Sequence, residues 1–183
     1  MRSSSVSERR YFAFLRAINT GNRRLTNERL LAPFVELGFT DVAAYQAAGN
    51  VTFCSDDSVD AHHIERAMAA AYGFDTPAFI RSAAEVRAIA DVEPFSPTEI
   101  AATAGKAQVG FLRSRPSPDQ ITALAELAPA EDLVRVIGSE WYWLPVEGIS
   151  GSKLDVGQVG ALLGEMTMRT LGTVARMSSR FAP

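Results

Sequence analysis

Cysteine is nearly absent from this sequence of 183 residues, because Cys54 is its single example. One thiol cannot form an intramolecular disulfide, and unpaired cysteine is typical of a reducing compartment. We therefore expect a cytoplasmic protein. Histidine is scarce too, and on a helix the adjacent His62 and His63 would point about 100° apart, so they could not bind one metal ion together. We expect no metal site and no cofactor.

Long apolar runs are also missing. No stretch approaches the roughly 18 consecutive apolar residues that a membrane-spanning helix requires. The apolar segment 11–18 is too short and too aromatic for the hydrophobic part of a signal peptide. Residues 1–9 are polar, and we predict that they form a disordered tail. These patterns predict no association with a membrane.

The common catalytic motifs are absent as well. The sequence has no nucleophile elbow, no paired catalytic carboxylates and no glycine-rich dinucleotide motif. Its 47% of hydrophobic and 21% of charged residues are typical of an ordinary globular protein. Whether the protein is an enzyme, and in which oligomeric state it works, are therefore left open.

Charge is unevenly distributed. Residues 1–29 hold seven arginines and two glutamates, which gives them a charge of +5. Because the net charge of the chain is −3, the remaining residues carry −8. A basic end can attract an anionic partner, although a solvated tail is the simpler explanation. Lysine is rare among the 18 basic residues, which draws attention to Lys153.

The first half of the chain predicts a ferredoxin-like unit over residues 10–91. Apolar spacing, caps and turn residues indicate alternating strands and helices in the order βαββαβ. Ser82 and Glu85 form the pattern of a capping box, which predicts a further short helix. The predicted elements are a strand at 11–18, a helix from about 26 to 37, strands at 42–47 and 51–54, a helix at 59–72 and a strand at 76–81.

The second half repeats this plan after a connector at 92–105. Strands are predicted at 107–113, 132–137 and 140–144, and helices at 118–127, 152–163 and 167–177. The last strand is expected to be missing or replaced by a helix, which makes 106–183 a βαββα unit with C-terminal helices. The expected fold is therefore α+β, with two ferredoxin-like βαββα(β) units packed in one compact chain.

Arg16 is the first candidate for a binding residue. Alternation along the predicted strand puts it on the face of Phe12 and Phe14, where a buried guanidinium needs acceptors. It could grip an anion together with Asn19 and the turn at Gly21, or it could pair with a carboxylate or carbonyls of the core.

Two further segments have the same double interpretation. Gly49 and Asn50 form a tight hairpin turn or contribute polar groups to the site of Arg16. Ser152 and Lys153 lie at the start of the predicted helix 152–163, so Ser152 is either its N-cap or part of an anion site with the lysine. The G-K-[ST] order of a P-loop is absent.

Several of these segments resemble the bacterial domain-of-unknown-function family 1697. Members read L-R-G-I-N-V-G-G where this chain has L-R-A-I-N-T-G-N at 15–22. They read L-G-F-x-[DN]-V-x-[TS]-Y-x-x-S-G-N-V-x-F where this chain has L-G-F-T-D-V-A-A-Y-Q-A-A-G-N-V-T-F at 37–53. The resemblance also includes 81–86, 94–95, 109–112 and 151–154. It implies two ferredoxin-like units and no known activity, cofactor or catalytic residue.

The departures from the family pattern indicate where this protein is particular. Relatives read T-x-R-N-W-N-T-V near the C-terminus, and this chain has T-M-R-T-L-G-T-V, which keeps Arg169 but loses the Asn-Trp-Asn core. The changed segments are 17–22, 47–48 and 170–172. If they line a ligand site in the family, this protein binds something different or has lost the activity.

Three functions remain open. The favoured one is a protein or enzyme that binds a small anionic ligand through Arg16, Asn19 and Asn50, with Lys153 and Arg169 as further candidates. Nucleic-acid binding is suggested by the fold order and the basic start, but the third strand lacks the K/R-G-F-x-F pattern and the chain is acidic overall, so it is disfavoured. A scaffold or protein-interaction module is the third.

Overall fold

The structure is a computed structural model, and it describes residues 8–18, 24–46 and 48–182. They form two four-stranded antiparallel sheets and seven helices. The α+β class with two ferredoxin-like units, expected from the sequence, is confirmed. None of the helices described is long and apolar enough to cross a membrane.

The first unit contains the described residues through Arg87 and those from Met177 onward. Its sheet has the order β2-β3-β1-β4, which is the ferredoxin-like order. Its elements are β1 (Arg9–Leu15), α1 (Asn27–Glu36), β2 (Thr40–Ala44), β3 (Asn50–Ser55), α2 (Ala61–Tyr72), β4 (Ala78–Ser82) and the start of α3 (Ala83–Asp91).

The central strand β1 of this sheet is buried on both faces. Ala13 and Leu15 pack with residues of α1 and α2 such as Phe34 and Met68, while Phe12 and Phe14 on the other face are also fully buried. Such continuous burial explains why β1 lacks the alternation of an exposed strand. As the sequence predicted, Ser82 and Glu85 form a capping box at the start of α3: the Ser82 hydroxyl accepts from the Glu85 backbone N–H at 3.3 Å, and the Glu85 carboxylate accepts from the Ser82 backbone N–H at 2.7 Å.

The second unit is Ala88–Arg176, with sheet order β6-β7-β5-β8. It contains the end of α3, then α4 (Pro97–Ala101), β5 (Gln108–Leu112), α5 (Pro118–Leu127), β6 (Leu133–Ile137), β7 (Glu140–Leu144), α6 (Val156–Leu163), β8 (Met166–Thr170) and the first part of α7 (Leu171–Phe181). Trp141 and Trp143 pack in its core beside Leu112, Leu124 and Val159.

The boundaries between the units lie inside helices. The first boundary follows Arg87, whereas the sequence predicted that the first unit extends to residue 91. The second boundary divides α7, so that Met177–Phe181 belongs to the first unit. The segment 92–105, expected to be a connector, contains α4 with its own capping box at Ser96 and Glu99. Sequence patterns mark where helices end, whereas compact units depend on long-range contacts.

One predicted element is wrong. Residues 167–170, assigned to a helix, form β8, which pairs antiparallel with β5 from Gln108↔Thr170 to Leu112↔Met166. Met and Arg are good helix formers, but helix propensity is worth only a few tenths of a kcal/mol per residue, and five cross-strand pairs outweigh it. The second unit therefore has a complete βαββαβ order, and the helix begins only at Leu171.

Candidate functional site

The predicted residues of the first unit lie at one end of its sheet. The backbone N–H of Arg16 donates to Pro77 O at 2.9 Å, and that of Leu15 donates to Gly49 O at 2.8 Å. The structure thus brings Arg16, Gly49 and Asn50 to the same edge, where β1 ends and β3 begins. Asn19 and Gly21 lie outside the described residues.

Arg16 is exposed to solvent. The expectation of a guanidinium buried on an apolar face is wrong, because β1 ends at Leu15 and the burial of Phe12 and Phe14 does not continue to position 16. An exposed guanidinium needs no partner in the core, so Arg16 presents a charged group at the end of the strand.

Asn50 has a structural role in the hairpin between β2 and β3. It is fully buried, and its Nδ2 donates to Tyr45 O at 3.1 Å. Gly49 has a φ of 68°, and a Cβ there would lie 3.1 Å from the Ile18 side chain. This is the tight turn considered from the sequence, and a ligand role for Gly49 and Asn50 stays a prediction.

Two residues beside this edge have a strained backbone. Ala17 and Gln46 each have a φ of 57°, in the left-handed region that disfavours a side chain. Among residues 8–18, 24–46 and 48–182, Asp41 is the third non-glycine residue of this kind, and its carboxylate is paired with Arg10. Such strain costs about 1–3 kcal/mol per residue and is concentrated at ligand sites.

An aromatic and cationic cluster adjoins the same hairpin. The rings of Tyr45 and Phe181 meet edge to face, with centroids 6.0 Å apart, and the Arg180 guanidinium lies 5.1 Å from the centre of the Phe181 ring. These three residues belong to the first unit. The sequence offered one signal for them, since Tyr45 is part of the segment that resembles the family pattern.

Ser152 is neither a helix cap nor an exposed hydroxyl. It donates to the buried carboxylate of Asp132, which also accepts from Trp143 Nε1 at 2.9 Å and from the Val146 backbone N–H at 3.1 Å. This network ties the loop before α6 to the sheet. Asp132 was missed from the sequence, because its alternating neighbours only indicate a strand.

Lys153 is exposed and precedes a helix start that is already capped. Helix α6 begins at Val156 instead of 152, and the carboxylate of Asp155 accepts from the backbone N–H groups of Gly157 and Gln158. A resident carboxylate competes with an external anion for these donors. Anion binding by Lys153 stays a prediction that this arrangement disfavours.

Arg169 lies on β8 and is partly buried. Its guanidinium donates to Thr167 Oγ1 at 2.9 Å and to Met168 O at 2.7 Å, and burial lowers its pKa to about 10. Arg81 occupies the corresponding place on β4, where it donates to Ile80 O at 2.9 Å. The two units therefore hold an arginine in the same way on their last strands.

A cavity of about 360 Å³ lies at the opposite end of the first sheet. Its wall includes Cys54, His63 and four carboxylate residues, Glu8, Asp56, Asp57 and Asp60. Burial raises the pKa of the Cys54 thiol. The excess of carboxylates makes this cavity a poor site for an anion. No group of side chains in the part of the chain described could hold a metal ion.

Comparison with known proteins finds similarity to a family of unknown function and to a conserved bacterial protein of known structure. Residues 9–142 match the family model described as protein of unknown function (DUF1697). The solved structure of the conserved bacterial protein SP0830 from Streptococcus pneumoniae is similar, with a TM-score of 0.67 and 18% identity over 94% of this chain and 98% of that one. At this identity the likeness shows the fold alone. No curated protein matches the sequence.

Proposed function

This chain belongs to the DUF1697 family, which carries no established activity, and from its own geometry we propose that it binds a small anionic ligand at the Arg16 end of the first sheet. This site, site 1, consists of Arg16, Ala17, Gln46, Gly49 and Asn50. A binding site is proposed here and no catalytic step, because no nucleophile or general base has been identified in site 1.

The observation that carries the proposal is the strained backbone at Ala17 and Gln46, at the end of the sheet where Arg16 lies. Ala17 follows it directly, and Gln46 lies in the hairpin whose Gly49 bonds to Leu15. A fold keeps left-handed alanine and glutamine only where the surroundings impose them, and ligand clamps are common surroundings of this kind. The exposed guanidinium supplies the charge that an anion requires.

Calorimetric titration of the full chain with inorganic phosphate, ribose 5-phosphate and citrate tests the proposal. We expect one of them to bind with 1:1 stoichiometry, and Arg16→Gln to weaken that binding by about tenfold or more, since charge-assisted hydrogen bonds are the strong ones. Arg115→Gln is the matched control, because Arg115 is an exposed arginine of the second unit.

Thermal unfolding gives a second readout. A bound ligand at 100 times its Kd adds about 2.7 kcal/mol to the free energy of unfolding, which raises the Tm of a chain of this size by several degrees. If none of the three anions raises the Tm, or if Arg16→Gln and Arg115→Gln bind alike, site 1 is not an anion site.

We also infer that the protein works in the cytoplasm of a bacterium. The inference is supported by the unpaired, buried thiol of Cys54 and by the bacterial source of the similar structure. Fractionation of the native cell should recover the protein with cytoplasmic markers, and recovery with secreted proteins would contradict it.

A further inference from the structure

The residues beside site 1 indicate which chemical group the bound anion carries. Site 1 supplies a charge, but the edge of the sheet continues into an aromatic and cationic cluster made of Tyr45, Arg180 and Phe181. We propose that the ligand is an aromatic anion, a planar ring joined to a phosphate or similar group, with its anionic end at Arg16 and its ring on Tyr45. This inference rests on the proposed function of site 1.

Arg16 and Tyr45 each lie one residue beyond the end of a strand, β1 and β2, and strand alternation extended by that one residue puts both on the same face of the sheet. Phe14 pairs with Asn50, and the Tyr45 backbone N–H donates to Asn50 O, so Tyr45, Asn50 and Phe14 form one row across β2, β3 and β1. Arg16 lies two residues beyond Phe14, and its N–H continues the pairing with β4. Because side chains alternate along a strand, position 16 has the orientation of position 14.

The spacing between these two positions fits a ligand with two parts. Arg16 and Tyr45 are separated by two strands across the sheet and by two residues along the strand direction, which puts their Cα atoms about 12 Å apart. Both side chains are long, so an arginine and a tyrosine at this distance can reach the two ends of one compact molecule. An inorganic anion would use only Arg16.

The Tyr45 ring is prepared for stacking. It is partly exposed, and the Phe181 ring, whose plane makes an angle of 86° with that of Tyr45, holds it from the side. Its backbone carbonyl is held by the buried amide of Asn50. Aromatic faces of this kind bind planar rings with little dependence on which ring it is, and the guanidinium of Arg180 adds a cation beside them.

Two probes that share a phosphate test the inference. Adenosine 5′-monophosphate and ribose 5-phosphate differ only by the aromatic base, so titration of the full chain with both isolates the contribution of the ring. We expect the nucleotide to bind about tenfold more tightly, which is about 1.4 kcal/mol at 25 °C. Tyr45→Leu should abolish this advantage and leave the affinity for ribose 5-phosphate unchanged.

Matched variants separate stacking from general damage. Arg16→Gln should weaken both probes by the same factor. Tyr11→Leu is the aromatic control, since Tyr11 is also partly exposed and stacks on Phe53 at 5.9 Å, and it should keep the tenfold advantage. Phe181→Leu replaces Tyr45→Leu in the experiment if the latter does not fold, because it removes the ring that orients Tyr45. It should reduce the tenfold preference for the nucleotide.

The outcomes distinguish the two proposals. If both probes bind equally to the unmodified protein, the aromatic inference is overturned while the anion site stands. If the nucleotide is favoured but Tyr45→Leu keeps the advantage, the ring binds elsewhere and the inference is again overturned. If neither probe binds and inorganic phosphate and citrate do not bind either, the anion site and the aromatic inference both fall.

Discussion

Trp141 and Gly110 are paired residues on neighbouring strands, and the indole of Trp141 lies directly over the glycine. A Cβ at position 110 would be 1.9 Å from Trp141 Nε1, which is far too close for two heavy atoms that are not bonded to each other. Trp141 is fully buried and stacks on Trp143 with ring centroids 6.2 Å apart. The absence of a side chain at Gly110 is therefore a condition for the core of the second unit.

Gly110→Ala should consequently be strongly destabilising. The added methyl group must displace a buried tryptophan, and we expect the free energy of unfolding to fall by about 3 kcal/mol. Gly160→Ala is the control, because its Cβ would meet no atom closer than 3.9 Å and lies in helix α6. That change should raise stability by about 0.5–1 kcal/mol. Urea unfolding measures both, and similar effects would contradict the packing.

Asp132→Ala should also destabilise the second unit. It removes the acceptor for Trp143 Nε1, Val146 N–H and the Ser152 hydroxyl, and it leaves buried donors without a partner. We expect a loss of about 2–4 kcal/mol in urea unfolding. Glu131→Ala, at an exposed neighbouring position, should change stability by no more than about 0.5 kcal/mol. An equal loss in both variants would show that Asp132 organises nothing.

Ala17→Gly and Gln46→Gly should stabilise the protein. Glycine adopts a φ of 57° without steric cost, so each change should relieve about 1 kcal/mol of strain. Ala44→Gly, in strand β2, should instead cost about 0.5–1 kcal/mol. Thermal unfolding compares the three variants. A lower Tm for both site 1 variants would mean that the strain is absent and would remove the main support for the anion site.

Glu99 should stabilise the folded protein at neutral pH and lose this effect as the solution becomes acidic. The backbone N–H of Ser96 donates to Glu99 at 2.7 Å, and mainly for this reason the pKa of the carboxyl lies below its ordinary value of 4.5. Because the pKa of Glu99 is lower in the folded protein than in the unfolded chain, its contribution to stability is complete when the pH is above the unfolded pKa. That contribution is lost as the pH falls through the folded pKa.

Substitution and titration check that sign. Carboxyl NMR should give Glu99 a titration midpoint below 4.5. Urea unfolding at a series of acidic pH values should show that Glu99→Gln loses less stability on acidification than the unmodified protein does. A midpoint at or above the ordinary value would contradict the capping box at α4.

Local patterns were sufficient for most of the fold. The caps at Ser82 and Glu85 and the turn at Gly49 and Asn50 were predicted correctly, because each depends on residues close in sequence. The error at β8 has the opposite cause. The sequence 166–170 has no strong preference, and only its pairing with β5 makes it a strand.

The candidate site was less predictable than the fold. The βαββ order predicted that the strands of Arg16 and of the hairpin turn are neighbours, but the sequence did not place the turn near Arg16. The predicted burial of Arg16 was wrong, and the Ser152 hydroxyl donates to Asp132 instead of capping a helix. Tyr45 was noticed only as part of a family motif. Its partner Phe181 lies more than a hundred residues away, and no local pattern links the two.

The two ferredoxin-like units were determined by the sequence itself, because hydrophobic periodicity, caps and turns act over a few residues and can be read in order along the chain. The unpaired thiol of Cys54 was determined in the same way. The tertiary structure alone decided that the second unit has its fourth strand, that Arg16 is exposed, and that Ala17, Gln46 and Tyr45 lie at the same end of the first sheet as Arg16. Those features depend on which distant strands pair and on how much of each side chain the fold covers, and both are properties of contacts between residues far apart in the chain.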